Sequence, residues 1–242
     1  MSFRKNLNSV LGPITGYEIS KPHFGEKLWP DVQTVLGPSG VKTVFDCGAN
    51  EGQSARDFLE RYPEAKIYSF EPAPTAFKKL SLFAEANPRV TAVNKALGAS
   101  LGRAEFHENT FDQTNSFLAA DSRGKEHFGP ALACRQMTEV EITTLDAYRK
   151  QEAIDQIDLL KIDVQGFELN VLKGAVETLA AKKINAIVLE LLFVPLYENQ
   201  ATYHDIATLL AKYDYYVAGF YDFAQTKQNH LMWCDTLFHP KR

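Results

Sequence analysis

Four carboxylates, one lysine and a pair of glycines carry the chemical interest of this 242-residue chain. Val44-Phe45-Asp46-Cys47-Gly48-Ala49-Asn50-Glu51-Gly52 reads as a strand that ends in a glycine turn opening a helix. Glycines there let the backbone approach a ligand through dihedrals closed to other residues. In open α/β sheets the ligand lies in the crevice beyond the carboxyl ends of the strands. A pyrophosphate fingerprint needs Gly-x-Gly-x-x-Gly. Here the spacing is Gly48-x-x-x-Gly52, without the central glycine. Asp46 adds a strand-end carboxylate, which repels a pyrophosphate but suits a ligand bearing an ammonium and a sulfonium. The ligand expected is S-adenosylmethionine rather than NAD, with Asp46, Gly48, Asn50 and Gly52 around it.

Glu71 ends the next strand, 25 positions after Asp46, in Tyr68-Ser69-Phe70-Glu71-Pro72. A carboxylate at that place can accept hydrogen bonds from both ribose hydroxyls. A solvated strand-end glutamate is the plainer alternative. At the third strand end, Asn94-Lys95-Ala96-Leu97-Gly98 could frame an adenine through backbone groups, with Ala96 at its centre, or be an ordinary loop.

A hydroxyl is a poor nucleophile until its proton leaves, so activating one needs a proton acceptor. Asp163 and Glu190 stand at the ends of adjacent core strands, so both can face one crevice. Lys161 lies two residues before Asp163 and therefore on the same strand face, where it could orient that carboxylate or tune it. The alternatives are a structural ion pair for Lys161 and Asp163, and a loop-capping acid for Glu190. Glu168 falls near a helix start, where an acid is favourable electrostatically. His23, His107, His127, His204, His230 and His239 show no metal-ligand spacing, and no tightly held metal is expected. Cys47 reads as a small buried filler.

These residues need a scaffold, and the chain alternates short β-rich runs with helical stripes, the form of a parallel sheet covered by helices. Strands are expected at 41–46, 65–71, 90–94, 158–163, 186–191, 215–221 and 231–238. Ala55, Phe58, Leu59 and Tyr62 form one helical stripe before Pro63, and Phe167, Val171, Ala175 and Leu179 form another. Another helix is expected over Pro74 to Ala86, with one more around Tyr203 to Leu210. The fold expected is a Rossmann-like, doubly wound, seven-stranded, mostly parallel sheet with a C-terminal antiparallel hairpin. Residues 41–242 form this domain. Residues 98–144 break the rhythm as an insertion, where binding functions tend to sit. Residues 1–40 hold a short helix, Pro30 to Leu36 with Gly37 past its end, and read as a lid or docking segment.

The formal net charge is -4 with lysines and arginines scattered, so no basic face for nucleic acid is indicated. Three cysteines without a CxxC pair fit a reducing compartment. No apolar stretch approaches a membrane span and the N-terminus lacks a signal-type core. The expected setting is cytoplasmic.

Leu159-Leu160-Lys161-Ile162-Asp163-Val164-Gln165-Gly166-Phe167-Glu168, followed by Val171-Leu172-Lys173-Gly174-Ala175, resembles the FkbM family of methyltransferases. Members carry a K-I-D-V-E-G-x-E run with a downstream V-L-x-G-A. The turn from Asp46 to Gly52, Asn115-Ser116, Thr144-Leu145-Asp146, and the ending with Glu190, Phe193-Val194-Pro195-Leu196-Tyr197 and Asp235-x-Leu237-Phe238 also look like that family. The match runs from about Val41 to Phe238. Position 165 departs from it, with Gln where the family usually has Glu. The resemblance implies an O-methyltransferase acting on sugars, polyketides or other secondary metabolites, and so a small-molecule or saccharide acceptor. Two readings compete: an NAD(P)-dependent oxidoreductase, and a non-catalytic nucleoside-binding α/β module, which would have no need of Asp163 and Glu190.

Overall fold

The structure, a computed structural model, describes residues 23–241. Apolar runs with few polar interruptions become β1 (Thr43–Cys47), β2 (Lys66–Phe70), β3 (Val90–Val93), β7 (Ile157–Ile162) and β8 (Ile184–Leu192), while the chain end supplies β9 (Tyr215–Gln225) and β10 (Leu231–Pro240). Together they form a seven-stranded sheet in the order β3-β2-β1-β7-β8-β10-β9. The first five are mutually parallel, and β10 runs antiparallel between β8 and β9. This is the doubly wound sheet with a terminal hairpin that the alternating pattern predicts. Nearly every residue of β1, β7 and β8 is buried or half-buried, as parallel strands covered on both faces must be.

Eight described helices flank it: α1 (Leu28–Leu36), α2 (Gln53–Arg61), α3 (Pro74–Glu85), α4 (Ser122–Phe128), α5 (Leu145–Gln151), α6 (Glu168–Lys173), α7 (Val176–Ala180) and α8 (Tyr203–Ala211). On one face Phe45, Leu160, Ile162, Ile187 and Leu189 pack with Leu145, Val171, Leu179, Ile206 and Leu210. On the other, Val44, Ile67, Leu159 and Val188 pack with Val32, Ala55 and Phe58. Each valine, leucine, isoleucine or phenylalanine among them, once fully buried, contributes about 1.5–3 kcal/mol. Helix α1 docks on this second face through Leu28, Val32 and Leu36. Its Asp31 carboxylate accepts from the Gly25 amide at 2.6 Å and the Tyr221 hydroxyl at 2.9 Å. Residues 1–22 of the N-terminal segment lie outside the described residues.

The stripe from Phe167 to Leu179 is not one helix. It divides into α6 and α7 at Gly174 and Ala175. A Cβ on Gly174 would lie 2.0 Å from the Gly98 carbonyl oxygen, so the chain is pinched there by a tertiary contact. The exposed amides at the start of α7 are capped from elsewhere, the Asp146 carboxylate accepting from Glu177 and Thr178 at 2.9 Å. Such a cap is typically worth about 1 kcal/mol.

Between β3 and α5 lie β4 (Ala96–Leu97), β5 (Gly102–Asn109) and β6 (Cys134–Thr143), a separate three-stranded sheet in the order β4-β6-β5. The segment 110–133 between β5 and β6 holds α4 and is pinned to the main sheet's loops. The Ser116 hydroxyl donates to the Gln165 carbonyl at 2.7 Å, and the Tyr197 hydroxyl lies 3.0 Å from the Thr114 carbonyl oxygen. Strand order reverses between β1 and β7, which fixes the crevice at their carboxyl ends as the place for a ligand.

Candidate active site

The crevice is a cavity of about 380 Å³, within the range of small-molecule sites. Its wall brings together Gly48 and Asn50 from the turn after β1, Glu71 after β2, Ala96 in β4, Lys161 and Asp163 at the end of β7, and Glu190 in β8. Register explains the last group. Lys161 pairs with Val188 and Ile162 with Leu189 across the parallel β7 and β8, so Asp163 and Glu190 follow side by side.

Two sequence candidates are not on this wall. Asp46 is wholly buried beneath it, with the Ser69 hydroxyl 3.5 Å from Oδ2 and the Lys161 Nζ 3.6 Å from Oδ1. Because β1 is covered on both faces, its strand-end carboxylate turns to that ammonium rather than to the ligand space. Gly52 lies behind the turn, at the N-cap of α2 with φ +90°. A Cβ there would stand 3.1 Å from Phe83 and 3.2 Å from Leu80, so its service is to seat α2 against α3.

The turn itself is held from β2. Gly48 and Ala49 both donate to the Phe70 carbonyl, at 3.1 and 3.0 Å. The Asn50 amide donates to Glu71 Oε2 and the Ala73 amide to Oε1, each at 2.8 Å. Each Glu71 oxygen thus keeps a free lone pair while its orientation is fixed by backbone. Burial pushes the Glu71 carboxyl up to about 7, against the pull of those two amides.

Lys161, Asp163 and Glu190 do converge, and Gln165 is what joins them. Lys161 Nζ lies 3.2 Å from Asp163 Oδ2. Burial works against the lysine's charge, but Asp163 and Asp46 outweigh it and hold the ammonium protonated. Gln165, in the left-handed region at φ +52°, donates through Nε2 to Asp163 Oδ1 and to Glu190 Oε2, both at 3.0 Å. Burial, then the charges of Asp163, Glu168 and Asp235, lift the Glu190 carboxyl well above the usual carboxylate range. Glu168 stays off the wall. Its Oε1 accepts from the Gly166 amide at 3.0 Å and the Val164 amide at 3.3 Å, tying down the loop that carries Gln165.

Much of the rest of the wall is aromatic, and most of its rings come from places no local signal marked. Phe106 and Phe117 pack edge to face at 4.9 Å, Phe117 meets Phe167 at 4.5 Å, and Phe128 stacks on Trp233 at 5.9 Å between ring centres. The insertion and the terminal hairpin supply most of these rings. Of the residues sequence reasoning gave no role in the site, Gln165, Phe167 and Tyr197 lay in segments already set apart by family resemblance. No histidine lines the cavity among the described residues.

The chemistry of this wall fits one ligand type. Glu71, Asp163 and Glu190 face the cavity, and its single cationic side chain among the described residues, Lys161, is already held by Asp163 and Asp46. Carboxylates with no free cation suit a positively charged ligand carrying a diol, and they oppose a pyrophosphate. The methyltransferase FkbM domain matches this chain over residues 46–217. Over 202 residues the chain is 29% identical to the 2-O-methyltransferase NoeI of Sinorhizobium fredii, spanning 81% of this chain and 82% of that protein. It is 33% identical over 156 residues to the methyltransferase sdnD of Sordaria araneosa, 55% of this chain and 60% of that one. Among solved structures it is similar to a candidate S-adenosylmethionine-dependent methyltransferase from Listeria monocytogenes, with a TM-score of 0.51 at 8% identity, covering 88% of this chain and 98% of that one. That last likeness concerns the fold alone.

Proposed function

The chain belongs to the FkbM methyltransferase family, and from that premise we propose that it methylates a hydroxyl of a sugar or another small molecule. It is an S-adenosylmethionine-dependent methyltransferase, which replaces the oxidoreductase and nucleoside-module readings. The observation that carries the finer reading is the pair of carboxylates, Asp163 and Glu190, bridged by Gln165 on the cavity wall. The 2-O-methyltransferase named above supports transfer to oxygen.

When bound, S-adenosylmethionine supplies a sulfonium methyl group whose carbon–sulfur bond breaks as a carbon–oxygen bond forms, leaving S-adenosylhomocysteine. In this reading Gly48, Asn50, Glu71 and Ala96 hold the cofactor, Glu71 by accepting from the ribose hydroxyls. The aromatic wall positions the acceptor, and orientation alone can lower such a barrier by roughly 7–11 kcal/mol. Asp163 or Glu190 takes the hydroxyl's proton, with Lys161 orienting Asp163. Incubating the protein with methyl-labelled cofactor and a cell extract, then identifying the labelled product by mass spectrometry, tests the reading. A labelled methyl ether of a saccharide or small molecule is expected, and label confined to nucleic acid or protein would overturn it.

Glu71→Ala should weaken S-adenosylhomocysteine binding by about 1.5–3 kcal/mol, the range for hydrogen bonds to a charged group. The ionised carboxylate is the better acceptor, so wild-type affinity should also rise with pH through about 7, a dependence the variant lacks. Calorimetry giving wild-type affinity for Glu71→Ala would remove the ribose assignment.

Turnover is expected to survive chelation. Among the described residues no three ligand-type side chains gather, and the Gln165 amide nitrogen fills the space between Asp163 and Glu190 where a cation would bridge them. Activity lost in chelator and restored by magnesium or manganese would contradict this.

A further inference from the structure

Asp163 and Glu190 look interchangeable as bases until their individual oxygens are followed. Asp163 Oδ1 accepts from Gln165 and its Oδ2 from Lys161, at 3.0 and 3.2 Å. Glu190 Oε2 accepts from the same amide at 3.0 Å. Glu190 Oε1 has no hydrogen bond among the described residues, and it is not sealed away, since the buried unpartnered side-chain oxygen of the described residues is Asp46 Oδ1. One carboxylate oxygen of the pair is therefore open to the cavity.

The amide that creates this asymmetry can point only one way. An amide oxygen placed 3.0 Å from Asp163 Oδ1 would set two acceptors face to face, so the NH₂ group faces the acids and each of its hydrogens serves one. The remaining Gln165 Oε1 lies 2.9 Å from the Tyr197 hydroxyl, whose one proton is shared with the Thr114 carbonyl 3.0 Å away. Tyr197 is 1% exposed, so this prop does not wander. The Ser116 hydroxyl and the left-handed backbone hold the other end of Gln165.

We propose that Gln165, oriented by Tyr197, is a positioning residue that occupies Asp163 and the inner oxygen of Glu190, leaving Glu190 Oε1 as the oxygen that accepts the acceptor hydroxyl's proton. The O–H bond breaks as the oxygen bonds to the methyl carbon, and the proton ends on Oε1. This rests on the reading above that an acid on this wall serves as base, and it selects between the two.

The groups facing Glu190 set the sign of the expected effects. Asp163 on the β7 end, Glu168 on α6 and Asp235 on β10 disfavour its charge, and Lys161 on β7 favours it. Glu190 in turn, with Glu168 and Asp163, opposes ionisation of the buried Tyr197 after β8. Glu71 and Asp112 line the same cavity from β2 and the insertion. Gln165 adds two neutral donors to this acidic set, which stabilise the ionised form. Gln165→Glu replaces them with a further carboxyl, so Glu190 must hold its proton to higher pH. Gln165→Met keeps the volume and removes both donors, moving it the same way. Tyr197→Phe frees the amide to turn and has the smaller effect.

The test is a carbon-13 NMR titration of side-chain carboxyls with S-adenosylhomocysteine present, the Glu190 signal being the one missing in Glu190→Gln. An alkaline displacement of that titration by about one unit or more is expected in Gln165→Glu and Gln165→Met, and a smaller one in Tyr197→Phe. The acid limb of the pH–rate profile should move with it, whereas a merely structural role would lower the rate equally at every pH. Titrations and profiles that coincide with wild type in folded variants would overturn the positioning role, and the variant left unfolded, if one is, leaves the other two to decide. Should the titration move while Glu190→Gln still turns over at the wild-type rate, the positioning stands and the base reading beneath it fails.

Discussion

Gly48→Ala is expected to abolish cofactor binding and to destabilise the fold by more than about 4 kcal/mol, at the extreme of single substitutions. Gly48 adopts φ +79°, where a side chain costs roughly 1–2 kcal/mol on its own. The larger share comes from contact. A Cβ at Gly48 would lie 1.8 Å from the Asp163 carbonyl oxygen and 2.9 Å from its carbonyl carbon. Neither backbone can yield, because the Asp163 amide donates to the Cys47 carbonyl at 3.0 Å while Gly48 and Ala49 are tied to Phe70. Relief means parting β1 from β7 at the switch point, which moves the turn and the acids together. Gly52→Ala makes the contrast: at φ +90° it carries a similar backbone cost, but its Cβ would meet ring and methyl ends of Phe83 and Leu80, which can shift. Denaturant unfolding and calorimetry with S-adenosylhomocysteine should therefore separate the two glycines widely. Equal, small losses in both would show that the turn tolerates a side chain and that the close approach is not what selects glycine at position 48.

That glycine was legible as part of a ligand turn, but its reason was not. The sequence pattern marks a strand, a turn and a helix, whereas the Cβ contact is with a residue more than a hundred positions away. The same limit separates the candidate residues that reach the cavity from those that do not. Buried parallel strands read plainly because both faces are apolar, so β1, β7 and β8 and their end residues were visible from composition and period. For the same reason the period cannot say which way a strand-end acid turns, and Asp46 faces Lys161 beneath the floor. The break between α6 and α7 was hidden because it depends on Gly174 meeting Gly98, not on any helix-stopping residue. Gln165 read as a departure from the family's usual acid. Its work as a bridge depends on Glu190, Asp163 and Tyr197, which arrive from different strands and loops. Trp233 and the phenylalanines of the wall carry no local mark separating a ligand-facing ring from a core one.

Glu190→Gln is expected to reduce turnover by about 10²–10⁴-fold, the range for loss of a positioned general base, with near-native affinity for S-adenosylhomocysteine. The amide keeps the volume, and its one oxygen can still accept from Gln165 in the place of Glu190 Oε2, but it then presents an NH₂ group rather than a basic oxygen to the acceptor. Loss in kcat and kcat/KM together is the signature of an interaction made only in the transition state. Asp163→Asn should behave differently. Both Asp163 oxygens already have partners in Gln165 and Lys161, so its loss releases Lys161 and loosens the turn, raising KM and lowering stability more than it slows the chemical step. Thermal unfolding of each variant must accompany the kinetics, because a buried lysine stripped of one carboxylate is itself destabilising. The pH dependence gives a second, independent reading. A base works only when ionised, and the Glu190 carboxyl sits well above the usual carboxylate range. Wild-type kcat/KM should therefore rise with pH through an ionisation higher than that of an exposed glutamate, then level off. A carboxyl raised in this way is also a stronger base once ionised, better matched to a neutral working pH than an exposed acid. The cationic cofactor favours the ionised form of the carboxylates facing it, so the same limb should lie at lower pH in kcat than in kcat/KM at subsaturating cofactor. Glu190→Gln should lose the limb altogether, leaving a low, flat rate. If that variant instead retains wild-type turnover and limb, Glu190 is structural and the proton leaves by another route, with Asp163 the next group to substitute.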